Sequence, residues 1–336
     1  MARRIVIHEY ITGGGLAGRE LPPSLAAEGS AMRRALVREF SMLPEVDVVM
    51  TLDMRLHETR GNWQVVPVGS GEEIETLSRL ASSDVDILMI APETDGVLED
   101  LARLLESLPC CRSLGSSSQA IAATANKLSL CQTWMALGIQ TPPTWRLGTE
   151  PALPAPWSFP VVVKPIDGAG CVETSLIERA EDLPRGTESR IVQPFLSGTP
   201  MSATFLVDAA NEAHLLAVGY QRIGVHEGRF AYQGGKLPAP THFCDTNVWA
   251  AMAAVPGLRG LVGIDFLGTE AGSIVLEINP RPTTSIVAIL ELFPPGTLAK
   301  AWMAAIMGTY QGPNFADLID RSALRQFDPD GKVMHP

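Results

Sequence analysis

Between residues 5 and 113 short apolar runs alternate with amphipathic stretches, and few folds accommodate that alternation. The runs at 5–7, 46–50, 64–68 and 86–90 read as strands, while 30–43, 72–83 and 94–108 carry apolar residues at helical spacing. Ser30 is placed to cap the first helix, and Glu72 with Glu73 suits the positive end of the second. Strand and helix in turn imply βαβ units, and so an α/β domain with a parallel sheet covered by helices. A further helical stretch, 116–137, is stopped by Gly138 and by Pro142 and Pro143. Prolines at 151, 154, 156 and 160 mark an irregular connector. After Phe159 the texture changes to strands closed by turns, at 161–164, 174–177, 190–192, 203–207, 214–220, 261–267 and 273–278, which predicts an antiparallel α+β body. A helix is expected at 298–307, and the polar stretch 312–336 is expected as a loosely packed tail.

With 46% hydrophobic residues in 336, the chain can bury a large core. Its 26 basic against 37 acidic side chains leave a formal charge of −11, which argues against the cationic surface that nucleic acid requires. No apolar run approaches the roughly 18 residues of a membrane span. The apolar positions after Met1-Ala2-Arg3-Arg4 give way at His8 and Glu9, too soon for a signal segment, so the chain reads as cytoplasmic. Five cysteines without a C-x-x-C pair read as idle thiols, and six histidines show no zinc spacing. An apolar N-terminal domain is compatible with a homodimer.

Three constellations carry chemistry. In the first, Gly263-Ile264-Asp265-Phe266 and Leu276-Glu277-Ile278-Asn279-Pro280-Arg281 flank a turn. A hairpin centred on Ala271 sets Asp265 opposite Glu277, with Cβ atoms about 5 Å apart. Asn279 then shares the face of Glu277, while Leu276 and Ile278 turn to the core. Opposed carboxylates repel, and one or two Mg²⁺ ions, or Mn²⁺, relieve the conflict with hard oxygen ligands that include the Asn279 amide. Arg281 supplies a fixed cation where phosphate oxygens arrive, or else bridges the acids. The plainer alternative is a solvated acidic pair on an exposed sheet face.

In the second, a buried strand at 159–163 delivers Lys164, and Gly168-Ala169-Gly170 follows as a loop whose N–H groups can close over phosphate. Only five of the 26 basic residues are Lys, which singles out Lys164 and, at a helix start, Lys127; a surface hairpin Lys and an exposed helical Lys remain the alternatives. In the third, Gln193-Pro194-Phe195-Leu196 joins an apolar strand to a turn, where Gln193 and the peptide groups of Phe195 and Leu196 can pair with an adenine edge, or simply end a strand. Gly13-Gly14-Gly15-Leu16-Ala17-Gly18 formally matches G-x-G-x-x-G, but Pro22 and Pro23 interrupt the helix a dinucleotide site needs, and Asp53 lies too far along. A turn at Gly13, Gly14 and Gly15 that lets a small substrate approach the backbone fits better, with Glu9, Tyr10 and Thr12 beside it as contacts or as plain strand-end surface.

Taken in order, Lys127, Lys164 with its glycine loop, the Gln193 to Leu196 segment, and Asp265 with Glu277-x-Asn279-Pro280-Arg281 resemble the ATP-grasp superfamily. The resemblance implies a preceding α/β domain at 1–115, a small lobe at 116–192, a large lobe at 193–311 and a tail at 312–336. It further implies Lys127 and Lys164 on ATP phosphates, Gly168 to Gly170 as their lid, Phe195 and Leu196 on adenine, and Asp265, Glu277 and Asn279 around Mg²⁺. Ser202 occupies the position where such proteins commonly carry the acid that grips the ribose. His8-Glu9-Tyr10-Ile11-Thr12-Gly13, Tyr232-Gln233-Gly234-Gly235-Lys236 and Pro282-Thr283-Thr284-Ser285 are similar to the tyramine–glutamate ligases of methanofuran biosynthesis and their methylotroph relatives. That implies an amide formed between an amino-acid carboxylate, glutamate, and a tyramine- or tyrosine-like amine through an acyl phosphate, for a one-carbon carrier cofactor. Lys236, in a glycine-rich segment expected to fold over the site, is a candidate for the γ-phosphate, with an exposed loop Lys as the alternative. Arg222 is a candidate for the substrate carboxylate or the tetrahedral oxyanion. A kinase acting on a small molecule and a nucleotide-binding sensor are the rival functions.

Overall fold

The computed structural model of the chain describes residues 3–59, 61–81, 85–108, 110–148, 158–168, 170–184, 189–312, 315–320 and 322–335. Ala169 and the prolines at 151, 154 and 156 lie outside the described residues.

The alternating pattern of the first third folds as a five-stranded parallel sheet in the order Trp63–Val68, Val46–Asp53, Arg3–Glu9, Val85–Ile90, Cys111–Ser113. Ile5, Val6 and Ile7 are wholly buried because helices cover both faces of the sheet. One face meets helix Pro23–Phe40 through Met32, Leu36, Val37 and Phe40. The other meets Glu73–Leu80 and Val97–Ser107. The first long helix starts earlier than expected, at Pro23, so Ser30 lies inside it and caps nothing. A proline with its φ preset and no N–H to leave unpaired opens a helix as readily as it breaks one.

The stretch 116–137 is two helices, Ser118–Ala125 and Lys127–Ala136. The chain breaks at Asn126, whose side-chain oxygen accepts from the Ser129 N–H at 3.0 Å and so places Lys127 in the first turn of the second helix.

An eleven-stranded sheet of antiparallel pairings builds the rest. Val161–Pro165, Ser175–Ile177, Arg190–Pro194 and Trp145–Arg146 form one group; Thr199–Val207, Ala213–His226, Arg229–Leu237, Gly260–Thr269 and Gly272–Asn279 form the other. The two groups touch where Arg229 pairs with Ser175, leaving a cleft between them. Trp134, Phe205, Val248 and Ile264 pack one layer of the larger group. Trp302, on helix Thr297–Ile306, belongs to a second cluster that also contains Leu36 and Phe40 of the N-terminal domain, so one core joins the two bodies. Among the described residues no single helix is long and apolar enough to cross a membrane.

The tail is not loose. Arg325–Phe327 adds a strand to Arg229–Leu237, Phe327 is buried, and Val333–Met334 pairs back onto it. The glycine-rich segment expected to fold over the site is therefore a strand between two neighbours. Gly234, at φ +85°, is required there, because a Cβ would meet the Phe327 carbonyl at 2.0 Å.

Candidate active site

The hairpin Gly260–Thr269/Gly272–Asn279 carries the acids. A two-residue turn at Glu270 and Ala271 pairs Thr269 with Gly272, a register that continued unbroken would set Asp265 opposite Leu276. One irregularity between Asp265 and Phe266 adds a residue on the other strand, and Asp265 faces Glu277 as the sequence suggests. Leu276 is that extra residue. It does not turn to the core: it lines the cleft beside Glu277, whereas Val275 and Ile278 are buried.

Gln221 Nε2 donates to Asp265 Oδ1 at 2.9 Å, and Asn279 Nδ2 donates to Asp265 Oδ2 at 3.3 Å. Lys127 Nζ lies 3.6 Å from Glu277 Oε2 and donates to the Gly168 carbonyl at 2.6 Å. Withdrawal from water pushes Asp265 well above the ordinary carboxylate range, and the negative charge of Glu277 pushes it further. Burial acts on Glu277 in the same direction, but Lys127, Lys164 and Arg281 outweigh it and hold Glu277 ionised below its usual range. The two acids are thus driven apart, Asp265 towards its protonated form and Glu277 towards its ionised form. Burial lowers Lys164, with Glu277 opposing and Lys127 reinforcing the shift. Cations thus surround the acids: Lys127 from its helix start, Lys164 from its strand, and Arg281, whose Nη2 donates to Glu93 Oε2 at 2.9 Å.

Two cavities meet at these acids. One, of about 450 Å³, is lined by Lys127, Lys164, Gly168, Gly170, Gln193 and the segment 194–198. Gln193 is buried with its Nε2 on Thr144 Oγ1 at 2.8 Å. Phe195 and Leu196 stand at the edge of this cavity, but the Phe195 N–H is already given to the Pro160 carbonyl at 3.1 Å, so only its carbonyl and the Leu196 peptide remain for a ligand. The other cavity, of about 370 Å³, lies towards the N-terminal domain and is lined by Glu9, Glu28, Tyr232, Asn279, Arg281 and Thr284, among others. Asp265 and Glu277 line both, together with Gly170, Cys171, Val172, Gln221 and Ile223.

Several expected residues fall elsewhere. Ser202 pairs with Asp265, two positions beyond Pro200 on one strand face, and so lines the second cavity rather than the first. Lys236 is exposed and lies over the Tyr220 ring, 5.0 Å from its centroid, outside both cavities. Arg222 Nη2 donates to the carbonyls of Gln233 at 2.6 Å and Phe327 at 3.2 Å, so the guanidinium ties the C-terminal strand in place. Gly13, Gly14 and Gly15 border neither cavity; they let the backbone pass close to Thr51, Val68 and the Tyr10 ring respectively. Thr12 is buried against Arg33. Glu9 does line the second cavity, yet its carboxylate is taken by the N–H groups of Ile11 at 3.0 Å and Thr12 at 2.8 Å. Glu28, Glu93, Gln221 and Cys171 were not expected; strand alternation from Ser202 and Asp265 is the signal that leads to Gln221.

The family model described as the ATP-grasp domain matches residues 124–285, and the pre ATP-grasp 3 domain matches residues 46–121. A tyramine–L-glutamate ligase of Methanocaldococcus jannaschii is 28% identical over 295 residues, covering 85% of this chain and 84% of that protein. A D-alanine–D-alanine ligase of Lacticaseibacillus casei is 30% identical over 194 residues, 52% of this chain and 54% of the relative. The crystal structure of an ATP-grasp superfamily protein from Archaeoglobus fulgidus has the same fold, with a TM-score of 0.71 at 23% identity over 97% of this chain and 92% of that one. The chain belongs to the ATP-grasp superfamily. Within it, this is an ADP-forming carbon–nitrogen ligase.

Proposed function

We propose that the chain joins the carboxylate of glutamate to a tyramine-like amine through an acyl phosphate, in the cytoplasm, on the route to a one-carbon carrier of the methanofuran type. The reading rests on one observation above the rest: two cavities of substrate size share a wall made of Asp265 and Glu277. A triphosphate laid in the first cavity brings its terminal phosphate to that wall, and an acid entering from the second meets it there. The relative whose printed name is tyramine–L-glutamate ligase supplies the choice of acid and amine.

Asp265, Glu277 and the Asn279 amide fit Mg²⁺: they are hard oxygen donors, and two acids paired across the hairpin, one of them driven towards its protonated form by burial and by the other's charge, are what a cation between them relieves. Bound there, Mg²⁺ screens phosphate oxygens against an anionic nucleophile. Lys127 and Lys164 hold the phosphates, and Gly168 and Gly170, both at positive φ, present no side chain to them. The substrate carboxylate oxygen attacks the γ-phosphorus as the β–γ bridging P–O bond breaks and ADP leaves. The amine nitrogen then attacks the acyl carbon, the C–O bond to phosphate breaks, and phosphate departs with the proton the amine loses. Arg281 stands beside that carbon's approach with its charge fixed by Glu93.

Purified protein is expected to release ADP and phosphate from ATP only when L-glutamate and an amine are both present, with the amide seen by mass spectrometry and all turnover lost on chelating divalent ions. Phosphorylated glutamate accumulating with no amine requirement would instead indicate a kinase. Leu276→Ala, which removes an apolar wall from the first cavity, is expected to raise the KM for ATP about tenfold with little change in kcat, measured by initial rates of ADP release.

A further inference from the structure

Four carboxylates line the second cavity: Glu9, Glu28, Asp265 and Glu277. Three are committed. Glu9 caps the helix behind it, and Asp265 and Glu277 form the shared wall. Glu28 differs. It stands on helix Pro23–Phe40 of the N-terminal domain, across the cavity from the lobe that carries the acids. The buried Thr284 hydroxyl donates to its Oε1, while its Oε2 accepts no hydrogen bond among the described residues. Arg281 and Tyr232 share the cavity and feel its charge, which helps to hold the guanidinium protonated and the phenol neutral. Arg281 offsets part of that charge without hydrogen-bonding to Glu28, and the open Oε2 stands as an acceptor for a cationic ligand in the chamber.

We propose that Glu28, oriented by Thr284, is the ammonium subsite of this chamber and holds the α-ammonium of the amino-acid substrate whose other carboxylate is activated at Asp265 and Glu277. The attacking amine is the wrong occupant, because an amine paired with a carboxylate is kept protonated and so lacks the lone pair that attack needs. For the α-ammonium the same pairing is an advantage. It keeps that nitrogen out of the reaction and directs the acyl phosphate to the second substrate instead of to another copy of the acid.

The proposal rests on the ligase reading above, and the test separates the two. ADP release is measured with L-glutamate and with glutarate, its counterpart without the amino group, at saturating tyramine, for the wild type, Glu28→Gln and Thr284→Val; MgADP binding shows that each variant is folded. The wild type is expected to prefer glutamate by about 10²-fold in kcat/KM. Glu28→Gln should shrink that preference at least tenfold, chiefly by raising the KM for glutamate, and Thr284→Val should shrink it less. An unchanged glutamate-to-glutarate ratio in Glu28→Gln overturns the subsite and leaves the ligase reading standing. A wild type inactive on glutamate that turns over another α-amino acid corrects the substrate, and the ratio is then read with that acid and its deaminated counterpart. Turnover confined to acids without an amino group overturns the subsite, and turnover with no acid at all overturns both.

Discussion

Glu277→Gln is expected to lower ADP release by about 10³-fold or more while the protein unfolds close to the wild-type temperature. The reason for the intact fold lies in how the two acids share charge. In the wild type Lys127, Lys164 and Arg281 favour the ionised form of Glu277, while burial and then the charge of Glu277 disfavour it on Asp265. Once Glu277 is an amide, the like charge that added to the effect of burial on Asp265 is gone, while the cations that favour a carboxylate remain. A carboxylate still faces those cations in the variant, but a metal ion between the strands would lose one of its two carboxylates. Asp265→Asn should fall to a similarly low rate. Steady-state ADP release and thermal melting of the same preparations check both halves, and near-normal turnover by Glu277→Gln would remove the metal assignment.

A large loss of stability is expected at the other end of the motif. Glu93 and Arg281 form a 2.9 Å pair with side chains only 5% and 10% exposed, and it links the N-terminal domain to the end of the strand that carries Glu277 and Asn279. Glu93→Ala leaves a buried guanidinium without that carboxylate and should cost about 3–5 kcal/mol in chemical denaturation. The pair is itself incompletely satisfied, since Glu93 Oε1 and Arg281 Nε have no partner among the described residues. Replacing both, as Glu93→Leu with Arg281→Met, is therefore expected to recover most of the lost stability. It should not recover turnover. A double variant as unstable as Glu93→Ala would show that the arginine is held by other groups.

The opposed acids were legible because hairpin pairing is local arithmetic, yet the arithmetic reached the right pair by a different route: the sequence suggests a symmetric turn, and the chain uses a tighter turn plus an extra residue at Leu276. Periodicity sees only which residues alternate, so an inserted residue that restores the phase is invisible to it. Lys127 and Lys164 stood out because lysine is scarce here. Glu28 and Glu93 did not, because each acts across a domain boundary that only tertiary packing creates. Lys236, Arg222 and the glycines at 13–15 misled for a common reason: a cation or a glycine near a candidate site looks functional in sequence, while their partners, the Tyr220 ring, two backbone carbonyls and a neighbouring valine, come from elsewhere in the chain. The tail read as loose because its polar composition hides that Phe327 needs only one buried position to dock a strand.

The wall shared by the two cavities has a practical corollary for ligand design. Fragments of modest affinity, one filling each side, need only a short tether past Asp265 and Glu277 to be joined. Once the first is seated, the second experiences an effective concentration on the order of millimolar, and the gain requires no new contact. A phosphorus-centred linker carrying negative charge would sit where the protein already gathers its cations. This enzyme is thus open to inhibition by single molecules that read as half nucleotide and half amino acid.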